Sequence, residues 1–245
     1  MAIQPGFDLQ KHLLIIRSTT HTQEVLDRAK DCYLEMGIVR ATYHLAGKIR
    51  SPISADVQLL SFGFPHDMIE RYKDPEFRKN DPIPDIVMQH GQPMTFRDAI
   101  NVRKLTPEEY AFVEGMEKAG LMHAVGIPLF GRNLRNAYVS FGFTDAAPLE
   151  DEQLMAHLMA VAPLAHLQVC NILEEPLENK VTLSARESEV LGLIARGFSA
   201  PYIAKIVKVS EATVGTYIRR IFAKLEVTDK VSAVIRALEF GLLRY

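Results

Sequence analysis

Over residues 181–243 the apolar positions recur with helical spacing, in four segments parted by short breaks. The first carries Val190, Leu191, Ile194 and Ala195 and stops at Gly197; the second carries Ile203, Ala204, Ile206 and Val207. The third opens at Ser210 and carries Val214, Ile218, Ile221, Phe222 and Leu225. The fourth carries Val231, Val234, Ile235 and Leu238 and ends at Gly241. A serine ahead of a helix accepts from its unpaired N–H groups, and a glycine behind one takes the left-handed turn that closes it. Only Lys208, Val209 and Ser210 part the second segment from the third. Two helices joined so tightly cross at a steep angle, the helix-turn-helix arrangement.

Upstream the period switches back and forth. Residues 22–36 predict a helix, with Val25, Leu26, Ala29, Cys32 and Tyr33 on one side and Gly37 as its stop. Residues 41–47 and 56–63 are short runs that predict strands; 65–73 and 83–91 predict helices, and 92–96 leads back to the sheet. Residues 106–120 predict a helix with Thr106 as cap, Pro107 at its first position and acids in its first turn. Residues 124–131 and 137–143 predict a hairpin around 132–136. Residues 149–174 predict one long helix, kinked at Pro163, which has no N–H to donate. This order predicts an α+β domain, an α/β/α sandwich of helices about an antiparallel sheet, with room for a small molecule between layers. It precedes an all-α four-helix domain. Residues 174–182 are polar, contain Pro176 and read as a linker, leaving 1–173 and 183–245 as the two domains.

Composition narrows the class. Apolar residues make up 48% of the 245, ordinary for a globular chain. The start lacks a basic segment followed by an apolar one, and no 18-residue apolar run is seen, so neither a leader nor a membrane span is expected and the cytoplasm, at the nucleoid, is the expected location. Cys32 and Cys170, far apart in sequence, read as reduced, buried thiols. The eight histidines show no metal-ligand spacing. No nucleophile–base pair or glycine-rich phosphate loop is found, so neither catalysis nor a cofactor is expected. The net charge of −2 hides an asymmetry. Residues 181–245 hold ten Lys and Arg against six Asp and Glu, a net of +4; the rest hold eighteen against twenty-four, a net of −6. A basic end on an acidic body suits phosphate binding by that end.

The C-terminal segment carries Leu183-Ser184-Ala185-Arg186-Glu187 with Val190-Leu191, then Gly197, Ile203-Ala204, Ser210, Thr213-Val214 and Lys224-Leu225 with Val227. At these offsets it resembles the C-terminal domain of the LuxR family of bacterial transcription regulators. The resemblance implies double-stranded DNA as a partner, near-palindromic sites read by a homodimer, and RNA polymerase as a further partner. The third segment is then the recognition helix, with the family's base-reading positions on Gly215 and Arg219. Arg219 suits guanine, to which an arginine makes two hydrogen bonds worth about 1–3 kcal/mol of discrimination. Thr213, Thr216, Tyr217, Arg220 and Lys224 are expected phosphate contacts. The long helix, through Leu154, Leu158, Val161, Leu164, Leu167 and Val169, is the candidate dimer seam.

Residues 15–170 resemble the autoinducer-binding domain that precedes such a helix-turn-helix in quorum-sensing regulators. The carriers are Phe64-Pro65, Met68, Tyr72, Asp81-Pro82 and Phe96. The resemblance implies an apolar cavity for an acyl-homoserine lactone, with Asp81 accepting from the ligand amide and Tyr72 and Ser140 donating to its carbonyls. Phe62, Phe64, Met68, Ile86, Phe96 and Leu129 are expected walls. Several residues depart from the family pattern. The chain has no tryptophan: Met68 and Phe96 stand where the family has Trp, Phe64 where it has Tyr, and Ala124 where it has Gly, with Gly126 two places on. Two lost donors, at about 0.5–1.5 kcal/mol each, weaken a lactone roughly tenfold or more. Methionine at the Trp position resembles a subgroup of LuxR solos that answer to other compounds. The reading is a regulator whose cavity takes a related amide or aromatic signal, or an acyl-homoserine lactone with weakened ring contacts. A ligand-independent regulator and a dimerising antagonist of another regulator stay open.

Overall fold

The computed structural model describes residues 3–45, 58–173 and 181–243. The chain divides into two compact units, Met1–Leu173 and Glu174–Tyr245. The expected linker lies outside the described residues over 174–180, as do the expected strand ends at 46–47 and 56–57.

In the first unit, helices α1 (Leu9–Ser18) and α2 (Thr22–Glu35) lead into strands β1 (Arg40–Leu45) and β2 (Gln58–Phe62). Helices α3 (His66–Lys73), α4 (Pro75–Arg78) and α5 (Ile83–His90) follow, then β3 (Met94–Thr95), α6 (Phe96–Ile100) and α7 (Pro107–Lys118). Strands β4 (Ala124–Leu129) and β5 (Ala137–Gly142) complete an antiparallel sheet of order β2-β1-β5-β4-β3, and α8 (Glu152–Ile172) closes the unit. Side chains alternate along a strand. Ala41, Val125, Ile127, Leu129, Val139 and Phe141 therefore share one face, buried with α1, α2 and α8. Ala124 and Tyr138 point the other way, into a second cluster with α3, α5, α6 and α7. Each large side chain so buried contributes about 1.5–3 kcal/mol.

The sandwich expected from the alternating period is thus the fold. Helices α1, α4 and α6 went unread. For α1 the signal was present: Leu9, Leu13 and Ile16 share a face, and Asp8 caps the helix by accepting from the Lys11 amide. α4 and α6 are one-turn elements held by the caps Asp74 and Thr95, too short for a period to register. The long helix starts at Glu152, capped by Asp151, rather than at 149, and runs through Pro163. By length and composition alone α8 could cross a bilayer, although His157, His166 and Gln168 interrupt its apolar residues. In this unit its Leu154, Leu158, Val161 and Val169 are buried against the sheet. Cys32 and Cys170 are free and buried, and burial pushes the Cys32 thiol up to about 12.

The second unit holds α9 (Ala185–Ala195), α10 (Ala200–Val207), α11 (Glu211–Leu225) and α12 (Lys230–Glu239) around a core of Val190, Leu191, Ile203, Val214, Ile221 and Leu225. A capping box opens α9: Ser184 and Glu187 each accept from the other's backbone N–H. Ser210 and Asp229 cap α11 and α12. Lys208, at the turn between α10 and α11, and Glu226, behind α11, adopt φ of 56° and 55°. A side chain in that left-handed region costs roughly 1–2 kcal/mol, which the buried cores of the adjoining helices offset.

Candidate ligand cavity and nucleic-acid interface

Between the sheet and helices α3 to α7 lies a cavity of about 40 Å³. Its helical wall is Phe64, Met68, Ile69 and Tyr72 of the α3 region, Phe96, and Phe112 and Met116 of α7. Its sheet wall is Thr42 and His44 of β1 with Tyr138 and Ser140 of β5, and Asp81 closes one end. Asp81 directly precedes α5 through Pro82, and its Oδ1 accepts from the Ile83 amide at 3.0 Å. Its Oδ2 accepts from the Tyr72 hydroxyl at 2.6 Å. The apolar surroundings outweigh both donors and push the carboxyl up to about 6.

Of the expected ligand contacts, Phe64, Met68, Tyr72, Asp81, Phe96 and Ser140 meet around this cavity. Ala124 does not line it; it is packed into the apolar cluster on that side of the sheet. Two expected walls belong elsewhere. Phe62 and Leu129 lie on the opposite face, where they border a separate cavity of about 210 Å³ against α2 and α8. Strand alternation decides this, and the expectation had not applied it across the whole sheet. Ile86 is buried in the neighbouring cluster rather than at the cavity surface. The Tyr72 hydroxyl was expected to donate to a ligand carbonyl; its proton goes to Asp81 instead. Ser140 shares a hydrogen bond with Thr42, Oγ to Oγ1 at 2.7 Å. Thr42, His44 and Tyr138 were not foreseen, although the register that places Thr42 opposite Ser140 and His44 opposite Tyr138 brings them together.

In the second unit Val214, Ile221 and Leu225 are buried and Ile218 partly so, leaving the other side of α11 outward. Arg219 and Arg220 are exposed there, and Arg219 donates to the Thr216 hydroxyl at 3.3 Å. The Thr213 hydroxyl bonds Ser210, and Tyr217 is partly buried against the core. Lys224 differs from expectation. Its ammonium donates to the buried Glu187 carboxylate at 2.7 Å and to the Thr182 carbonyl at 3.0 Å, so it is an internal tie rather than a free cation for phosphate. That ammonium and the Ser184 amide together hold the Glu187 carboxyl below the usual range.

Among the described residues, no atom beyond the two chain neighbours and the helix's own backbone lies within 4 Å of where a Cβ on Gly215 would stand. Gly215→Ala is therefore expected to stabilise the second unit by about 1 kcal/mol, seen as a raised denaturation midpoint. A lowered midpoint would reveal a contact that the open surface does not contain.

Residues 21–169 match the autoinducer binding domain family, and residues 181–237 match the luxR family of bacterial regulatory proteins. The chain belongs to the LuxR family. This LuxR-family chain is 35% identical over 121 residues to the transcriptional activator protein SolR of Ralstonia nicotianae, covering 46% of this chain and 51% of SolR. Across SolR and other curated relatives of comparable similarity it spans about half of their length. It is 26% identical over 189 residues to the quorum sensing-dependent regulator RpaR of Rhodopseudomonas palustris, covering 76% and 75% of the two chains. The fold is that of Escherichia coli SdiA, with a TM-score of 0.70 at 19% identity over 97% of this chain and 98% of the other. The family and these named relatives are regulators rather than enzymes.

Proposed function

We propose that the chain is a transcription regulator whose binding to near-palindromic DNA, as a homodimer, is set by a small amide or aromatic signal held at Asp81. The observation that carries the reading is a carboxylate with a raised pKa at the end of an internal cavity, in a chain whose other unit presents Arg219 and Arg220 on an outward helical face. An amide N–H aimed at Asp81 would make a charge-assisted bond worth about 1.5–3 kcal/mol net. Phe64, Met68, Phe96 and Tyr72 would enclose the signal, and Ser140 would face it. On the DNA side Arg219 reads a base, Gly215 allows close approach, and Thr213, Thr216, Tyr217 and Arg220 meet the backbone. RNA polymerase is the partner such a regulator acts on, and the cytoplasm, at the nucleoid, is where it would do so.

Homodimer formation has support in apolar side chains left outside. Leu167 and Met159 of α8 are 41% and 42% exposed, and Leu14 of α1 is 58% exposed. Of the seam residues expected from sequence, Leu154, Leu158, Val161 and Val169 serve the core instead, so the dimer face is narrower than the apolar count suggested.

One observation favours a second reading. The Tyr72–Asp81 hydrogen bond satisfies the carboxylate without a ligand, as a ligand-independent regulator would need. A mobility-shift titration on operator-length DNA, run beside thermal melting with a panel of acyl amides, separates the two. The ligand-responsive regulator is expected to show a raised melting temperature and altered DNA affinity with one amide class, since a ligand that binds only the native state stabilises it. DNA binding that no amide changes would leave the ligand-independent regulator, and absence of DNA binding in every condition would sink both.

A further inference from the structure

The larger cavity lies across the sheet from Asp81 and takes no part in the proposed reading of that site. It encloses about 210 Å³ between α2, α8 and the sheet. An apolar cavity of about 150 Å³ is enough to hold a benzene ring. This one therefore has room for one ring with a short side chain. Tyr33, Leu129, Val139 and Ala162 form its buried wall. Thr42 and Tyr43 also border it, but their hydroxyls are engaged within the protein. The Tyr43 Oη is bonded to His166 Nδ1 at 2.8 Å, and Thr42 Oγ1 to Ser140 Oγ at 2.7 Å. Such a wall suits a hydrocarbon body better than a polar one.

The charge stands at the mouth. Gln23, Asp27, Lys30 and Ser61 border the cavity and are exposed. The acid is tied back along its own helix, where Asp27 Oδ1 accepts from the Gln23 side-chain amide at 3.1 Å. Lys30 reaches across instead. Its ammonium stands 5.7 Å from the centroid of the Phe62 ring, which lines the cavity from β2. An ammonium over an aromatic face is attracted by the ring, which holds this charge above the entrance. Among the described residues Lys30 forms no ion pair. The mouth thus offers a positive charge, and behind it lies an apolar chamber the size of a substituted ring.

We infer that this cavity is a second ligand site, separate from the one at Asp81, and that it takes a small aromatic monocarboxylate. The ring occupies the chamber between α2, α8 and the sheet. The carboxylate meets the Lys30 ammonium, with the Ser61 hydroxyl as a further donor on the same rim. A neutral ester of the same acid forgoes the ion pair, and an amine of the same shape brings its charge against Lys30.

The test is calorimetric titration of the full-length chain, at low ionic strength, with 3-phenylpropionate, its methyl ester and 3-phenylpropylamine. The wild type is expected to bind the acid about fivefold more tightly than the ester, the increment of one exposed ion pair, and the amine most weakly. Lys30→Gln, a change on the exposed rim, is expected to bring acid and ester to equal affinity. Ala162→Leu puts a longer side chain into the chamber and is expected to abolish binding of the acid, with thermal melting to verify its fold. The wild-type ranking needs no variant, so a misfolded A162L would not shield the inference. No binding of the acid, or an ester or amine that binds at least as tightly, overturns it. So does an acid preference that survives in K30Q, or undiminished binding by a folded A162L.

Discussion

Asp81→Asn is expected to stabilise the unliganded first unit at pH 7.5 and to weaken any amide ligand by roughly ten- to a hundredfold, in line with the loss of a charge-assisted bond. Both effects follow from one carboxyl group. Its apolar surroundings push it from an ordinary 3.8 up to about 6, so the folded domain holds a proton that the unfolded chain releases between those values. Folding is therefore favoured by this group at low pH, and that contribution is lost as pH rises from about 4 through 6. Above pH 6 the fold carries a confined anion that the unfolded chain keeps in water. Asparagine keeps one oxygen to accept from the Ile83 amide and turns its NH2 to the Tyr72 hydroxyl oxygen, which then accepts, without that charge. The expected gain is about 3 kcal/mol at pH 7.5, vanishing near pH 4, read as the difference between wild-type and D81N denaturation midpoints across that range. Equal pH profiles in the two proteins would mean that the carboxyl titrates normally and that its seat is wetter than the packing around it indicates. A more stable variant with poorer ligand binding is the pattern of a group placed for function at the expense of the fold.

Arg219→Ala is expected to carry the largest cost at the other end. The side chain is exposed on the outward face of α11 and forms no ion pair among the described residues. Its removal should leave the fold unchanged. If it reads a guanine in each half-site, its loss costs about 1–3 kcal/mol per half-site and about twice that for a dimer, which would relax sequence preference at the contacted base pair. Selection from a randomised operator pool, with Arg220→Ala in parallel, distinguishes the roles. The Arg220 variant should bind all sequences more weakly with the same preference, and its affinity should depend less steeply on salt. An unchanged selected motif for Arg219→Ala would move base reading to another residue of the face.

The layered first unit and the four helices of the second were legible because their elements are long enough for a period to repeat, and because Thr106 and Ser210 mark where helices begin. Apart from α1, whose signal was present, what went unread was short or non-local. The helix Phe96–Ile100 has barely more than a turn, and no pattern distinguishes it from the end of a strand. At the cavity, the residues carried by the family motif came together, since Phe64, Met68 and Tyr72 lie on or beside one helix and Asp81 leads the next. The sheet wall was only partly read. Thr42, His44 and Tyr138 belong to it by strand register between β1 and β5, which a run of residues along the chain does not express. The same gap put Phe62 and Leu129 on the wrong face. Lys224 misled for a different reason: it sits at a helical position that suits phosphate, and only the folded chain brings Glu187, 37 positions away, to claim its charge.

That Lys224 tie has a mechanical side. One ammonium grips both the Thr182 carbonyl, where the chain enters the second unit, and the acid that opens its first helix. The doorway of the domain and its third helix are therefore moored at a single point, so that cutting this one side chain back would loosen the entry of the chain and the start of the first helix together.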